Sequence, residues 1–104
     1  PSGRIGTLKY MAPEVIKNGQ FSEKIDVYSF GLIFWEILTR KRCFEQFGER
    51  EADMLMSHVL KGGRPEIPKD YIFRDLLERC WHQDPDVRPS FDQVRLFSFL
   101  FFLV

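Results

Sequence analysis

Two cysteines, two histidines and a formal net charge of zero exclude several kinds of protein before any motif is read. Cys43 and Cys80 lie far apart, without CxxC spacing or a neighbouring histidine cluster, so neither a disulfide framework nor a zinc site is expected. That cysteine usage fits a reducing, intracellular setting, and the cytoplasm is the expected location. Fifteen Lys and Arg against fifteen Asp and Glu leave no field that would gather nucleic acid or an anionic membrane, and neither is expected as a partner. No charged leader followed by an apolar stretch opens the chain. The apolar run Leu96 to Val104 (LFSFLFFLV) has nine residues, about half of the roughly 20 that a bilayer crossing needs. Methionine is missing from position 1, and Pro1 to Gly6 (PSGRIG) reads as loop, as expected of a chain cut from something longer.

What is present is apolar and helical in its spacing. A length of 104 residues with 44% hydrophobic and 15% aromatic content is enough for one small domain with its own core. Neither an internal repeat nor a low-complexity linker occurs, and the expected class is mainly α. A short helix from about Ala12 to Lys17 has Pro13 in its first turn and stops at Asn18-Gly19, a pair suited to a left-handed cap. Ser22 is placed to cap a second helix, about Glu23 to Leu38. Asp26 and Glu36 are the only charges between Ile25 and Leu38 in that helix. A helix apolar on nearly every side is expected to be the covered centre of its domain. Gly31 costs about 1 kcal/mol against alanine inside a helix, which implies a close approach by another backbone.

After the connection Thr39 to Gly48, with its solvated Arg40-Lys41-Arg42, Ala52, Leu55, Met56 and Val59 follow the amphipathic helix spacing up to Gly62-Gly63. Phe73, Leu76, Leu77 and Cys80 repeat it between about Tyr71 and His82. Asp84-Pro85 through Pro89 reads as a rigid turn, and Ser90 with Gln93 as a capping box for a last helix. Trp35 and Trp81 are expected in the core. His58 and His82 are expected on helix surfaces.

Five short motifs occur in order along this frame: Ala12-Pro13-Glu14, then Asp26-Val27-Tyr28-Ser29-Phe30-Gly31, then Trp35-Glu36-Ile37-Leu38-Thr39, then Cys80-Trp81 with Asp84-Pro85, and last Arg88-Pro89-Ser90-Phe91. Each alone is weak. Their order and spacing from residue 3 to about 95 resemble the C-terminal half of the large lobe of a protein kinase, in which Ala-Pro-Glu closes the activation segment. Gly6-Thr7 resembles serine/threonine kinases, whereas VYSFGLIFWEIL and Cys80-Trp81 resemble the tyrosine-kinase-like pattern. Together they indicate the tyrosine-kinase-like serine/threonine group.

The resemblance implies an incomplete helical C-terminal lobe over residues 1–95, without the N-terminal β lobe; the apolar tail over 96–104 departs from the family's pattern, and no role is assigned to it. It implies that Glu14 pairs with Arg88, whose planar fork suits a bidentate grip on a carboxylate. It places Thr7 near the substrate hydroxyl, as a substrate-binding residue, and sets Asp26 against the backbone of a catalytic loop. The neighbours Ile25, Val27 and Phe30 suggest that Asp26 is buried, and a buried carboxylate needs donors. Ser2 is a conceivable phosphorylation position.

Phosphoryl transfer in such enzymes uses a glycine-rich loop, a strand lysine, a His-Arg-Asp loop with its asparagine, and an Asp-Phe-Gly that holds magnesium. None of these occurs, and the one asparagine, Asn18, follows Ala-Pro-Glu. Gln46-Phe47-Gly48 lacks the aspartate, and Phe73-Arg74-Asp75 has no asparagine five residues on. No catalytic or metal-binding residue is therefore assigned. The expected function is a part of a protein kinase that transfers the ATP γ-phosphate to protein serine or threonine. ATP and magnesium are bound by the parent, and the partners are a protein or peptide substrate and the rest of the kinase domain. The chain alone is expected to be inactive. A non-catalytic, pseudokinase-like or truncated binding module is the alternative, and the residues preceding Pro1 would decide between the two.

Overall fold

Lys24–Thr39 is the longest of the described helices. The computed structural model describes the backbone of residues 5–103 and the side chains of residues 5–97. It contains α1 (Ile5–Leu8), α2 (Pro13–Asn18), α3 (Lys24–Thr39), α4 (Ala52–Leu60), α5 (Arg74–Cys80) and α6 (Phe91–Leu103), with no strand among the described residues. The mainly α class holds. α3 packs along α5, while α1 and α2 both lie against α4. Ile5 and Gly6 belong to a helical turn and not to the loop expected there. Ile5 and Leu8, three apart, share one face of that turn and are buried in the main core with Leu55 and Val59 of α4. Ser2 lies outside the described residues.

Local signals account for the ends of the helices. α2 starts at Pro13 and stops at Gly19, whose φ of 64° and N–H bond to the Val15 carbonyl form the left-handed cap. The Ser22 hydroxyl takes the Lys24 N–H at 3.1 Å and so opens α3. Asp70 (φ 60°) and a turn joining Tyr71 N–H to the Pro68 carbonyl delay α5 to Arg74, three residues later than the apolar spacing alone suggests. At the start of α6 the Ser90 N–H bonds the Gln93 side chain at 2.8 Å and the Gln93 N–H bonds the Ser90 hydroxyl at 3.1 Å, the two arms of a capping box. The α6 backbone continues to Leu103, so position 96 is not the end of an element. Among the described residues no helix is long and apolar enough to cross a membrane.

Only one face of α3 is covered. Val27, Tyr28, Gly31, Leu32 and Trp35 are buried, whereas Ile33 and Ile37 are 44% and 68% exposed. The all-round cover expected of so apolar a helix is absent among the described residues. On the covered face α5 comes close: a Cβ placed on Gly31 would stand 2.9 Å from the Cys80 Cβ and 3.6 Å from the Trp81 backbone nitrogen. Trp35 and Trp81 are core residues, and Trp35 Nε1 donates to the Glu66 carbonyl at 2.9 Å. Phe30 stacks on Phe34, which meets Phe73 edge-on, while Phe91 of α6 meets Phe30 edge-on. This aromatic row joins α3, the residue that precedes α5, and α6.

His58 is not a surface residue. The 40–48 connection folds back so that the Phe44 and Phe47 rings lie 5.9 and 5.3 Å from its imidazole, and its Nε2 is buried without a hydrogen-bond partner. That nitrogen abuts Gly63, where a Cβ would come within 2.2 Å of it. His82 is exposed and accepts the Asp84 N–H on Nδ1.

Candidate functional site

The Asp84–Pro89 turn aims Arg88 inward. Asp86 N–H bonds the Asp84 carboxylate, and the Val87 and Arg88 N–H groups bond the Asp84 and Pro85 carbonyls, so the residues before Pro89 are tightly wound. Arg88 is 1% exposed, yet every one of its five donors has an acceptor. Nη1 and Nη2 grip the Glu14 carboxylate at 2.7 and 2.8 Å, one oxygen each. The remaining donors reach the carbonyls of His82 at 2.8 Å, Lys24 at 3.1 Å and Gln83 at 3.5 Å. The guanidinium also lies over the Tyr28 ring, 5.2 Å from its centroid. One side chain thereby ties α2, the start of α3 and the turn before α6.

Burial alone would raise the Glu14 pKa, but the hydrogen bonds from Arg88 and the backbone, with the Arg88 charge, outweigh it and hold the carboxyl below its usual value of 4.5. A carboxyl lowered on folding adds stability that is fully present above the unfolded-state value and is lost as pH falls through the folded-state value. Wild-type stability is therefore expected to decline below about pH 4.5, and Glu14→Gln is expected to flatten that part of the profile. Equal slopes in denaturation midpoints measured from pH 6 to pH 3 would refute this.

Thr7 and Asp26 come to the same place. Both are exposed, and both line a shallow cleft whose wall is formed by Met11, Ala12, Phe21 and Ile25. The burial expected of Asp26 is corrected. The buried stripe of α3 starts one residue later, at Val27 and Tyr28, which turns Asp26 to the opposite side. Its carboxylate is solvated and makes no hydrogen bond with another described residue, so no desolvation has to be offset.

Residues that sequence reasoning passed over hold the cleft's wall. Tyr10 donates its hydroxyl proton to Glu36 Oε1 at 2.8 Å, and the Cys43 N–H donates to Glu36 Oε2 at 2.8 Å. The Ser29 hydroxyl donates to the Tyr10 carbonyl at 2.7 Å, and Lys9 forms an ion pair with Glu45 at 3.2 Å. Burial, then the hydrogen bond with Glu36, pushes the Tyr10 pKa up, which keeps its hydroxyl a donor. Burial and the Glu36 charge push the Cys43 thiol up to about 12, so it is protonated and unreactive near neutral pH. Glu36 left a trace in the sequence as one of two charges in an apolar helix. Arg64 left none. It binds the Trp81, Gly63 and Val59 carbonyls and lies 5.0 Å over the Tyr28 ring.

Among the described residues no three His, Cys, Asp or Glu side chains gather where they could hold a metal ion. No chemical step through magnesium is assigned to the described residues.

The chain belongs to the protein tyrosine and serine/threonine kinase family, whose model matches residues 2–97. It is similar to the dual specificity protein kinase shkC of Dictyostelium discoideum, 47% identical over 92 residues that make up 86% of this chain and 18% of that protein. Human mitogen-activated protein kinase kinase kinase 7 is 40% identical over 91 residues, 86% of this chain and 15% of that protein. The dual specificity protein kinase shkA of Dictyostelium discoideum is 42% identical over 94 residues. The chain thus spans less than a fifth of the length of each of these relatives.

Proposed function

We propose that this segment is the substrate-docking and scaffold part of a protein kinase that transfers the ATP γ-phosphate to serine or threonine, within the tyrosine-kinase-like group. The observation that carries the reading is the common cleft of Thr7 and Asp26, backed by Ala12 and anchored two residues further on by the Glu14–Arg88 pair. Among the described residues the Thr7 side chain has no hydrogen-bond partner, which leaves it open to a substrate hydroxyl. Asp26 stands solvated beside it, open to the backbone donors of a catalytic loop supplied by the rest of the domain. On this reading ATP and magnesium are held by that remainder, and the segment by itself is inactive. Its part is to keep Thr7 and the 9–12 wall in place while a peptide lies across them. The relatives named serine/threonine or dual specificity kinases support the reaction class.

The test uses the full-length protein that carries the segment, assayed with serine, threonine and tyrosine peptides. Serine or threonine phosphorylation is expected, reduced about tenfold by Thr7→Val, the order of one lost hydrogen bond in the transition state, and restored by Thr7→Ser. A purified, folded full-length protein that transfers no phosphate would sink the proposal.

A further inference from the structure

The 40–48 connection borders a second depression in the surface, beside the wall of the Thr7 cleft. This cleft, of about 520 Å³, lies between the connection and the 64–68 segment, and falls in the range of about 300–1,000 Å³ usual for ligand sites. Trp35, Phe44 and Pro65 give it an apolar floor, while Lys41, Arg42 and Arg64 give it three cations. Lys41 and Arg42 are exposed, and neither forms an ion pair with a described residue. Arg64 is half-buried, and its acceptors are the Trp81, Val59 and Gly63 carbonyls and the Gln83 side-chain oxygen, none of them a carboxylate. Two carboxylates line the same cleft. Glu45 is already held by Lys9 at 3.2 Å, which leaves Glu66 alone against the three cations. The zero net charge of the chain thus hides a local positive excess.

We infer that this cleft binds an acidic stretch of the peptide substrate, set apart from the serine or threonine that receives the phosphate. The inference rests on the reading of the Thr7 cleft as a substrate site and deepens it by naming a substrate class. Position supports it: Lys9, whose ammonium holds Glu45 of this cleft, follows Thr7 by two residues. A peptide that lies across Thr7 and the 9–12 wall therefore has the basic cleft beside it. Charge supports the class, because peptide carboxylates meet Lys41 and Arg42 at the rim, where such pairs are individually weak, screened by salt, and used more for selectivity than for tight binding. A nucleic-acid strand fits less well. The Trp35 and Phe44 rings are 6% and 3% exposed and offer no face on which bases could stack.

The test uses the full-length protein and serine peptides in which a run of aspartates, alanines or lysines is set at increasing distance on either side of the serine. At the best spacing the aspartate peptide is expected to have a KM about tenfold below that of its alanine counterpart at low salt, the order of two or three exposed charge pairs. High salt is expected to close the gap. Lys41→Glu with Arg42→Glu is expected to reverse the order, so that the lysine peptide has the lower KM, with the change falling on KM and not on kcat. Lys41→Ala with Arg42→Ala is expected to shrink the gap without reversing it. Arg40 is left in place because its backbone closes α3 in the left-handed conformation. A wild-type enzyme indifferent to aspartate at every spacing, or a preference that survives the charge reversal, overturns the inference. A folded protein that transfers no phosphate sinks the reading of the Thr7 cleft instead, and fluorescence anisotropy of the labelled aspartate peptides then decides for the basic cleft. Binding by wild type that is lost in Lys41→Glu with Arg42→Glu supports an acidic-peptide site, whereas equal binding by the two, or none by wild type, overturns it.

Discussion

Arg88→Met is expected to remove a large part of the domain's stability, with a loss of about 3–5 kcal/mol read from chemical denaturation, the range for removing one partner of a buried ion pair. Small domains have only about 5–15 kcal/mol in total. Methionine can fill the volume, so the loss does not come from a cavity. It comes from what is left behind: the Glu14 carboxylate loses both of its short donors, and the carbonyls of His82, Lys24 and Gln83 lose theirs inside the protein. Arg88→Lys is expected to fare little better, because one ammonium cannot reproduce a planar fork that spans two oxygens and three carbonyls. The double variant Glu14→Leu with Arg88→Met removes the stranded carboxylate and is expected to recover part of the loss, but not the three carbonyls. A denaturation midpoint for Arg88→Met equal to wild type would show that the pair is ornamental.

That pair also marks how far the sequence could be read. Glu14 and Arg88 are 74 residues apart, and nothing in either local pattern announces the contact. What made it legible was the order of the motifs around them. Helix identities were legible for a simpler reason, since apolar spacing and caps act over one or two turns: Gly19, Ser22 and the Ser90–Gln93 box all sit where their side chains or backbones require. The errors have a common cause in tertiary structure. Asp26 was judged by its sequence neighbours, yet adjacent residues on a helix are 100° apart, and the buried stripe begins one residue later. His58 looked like a surface residue because its own helix says so, whereas the burial comes from Phe44 and Phe47 in a connection without regular spacing. Glu36 was overlooked because its partners Tyr10 and Cys43 come from two different segments, which meet only once α3 is in place.

Gly31→Leu is expected to cost about 3 kcal/mol or more, at the upper end of overpacking penalties, and to act on the site from the far side of α3. Gly31 was legible as a close approach, and the structure supplies its partner: the Cys80 Cβ, 2.9 Å from where the first added carbon would stand. Real side-chain carbons do not sit that near, and the obstacle is not the end of a flexible chain that could swing away. Alanine at 31 therefore already forces α3 and α5 apart, although its better helix propensity returns up to about 1 kcal/mol. Leucine adds three more carbons where Cys80 and Trp81 leave no room. Shortening the neighbour to alanine does not help, because Cys80→Ala retains the offending Cβ. Only Cys80→Gly removes it, at its own helix cost of about 1 kcal/mol. Gly31→Ala combined with Cys80→Gly should accordingly lose less than the sum of the two single changes, a coupling that double-mutant denaturation measures directly. Strict additivity would mean that the contact between α3 and α5 is looser than 2.9 Å implies. Because Tyr28, Ser29 and Glu36 project from the same helix, a shift of α3 also moves the anchors of Arg88 and of Tyr10. Gly31→Leu is thus expected to speed hydrogen exchange at residues 9–12 as well as in α5, and unchanged exchange at 9–12 would confine the damage to the core.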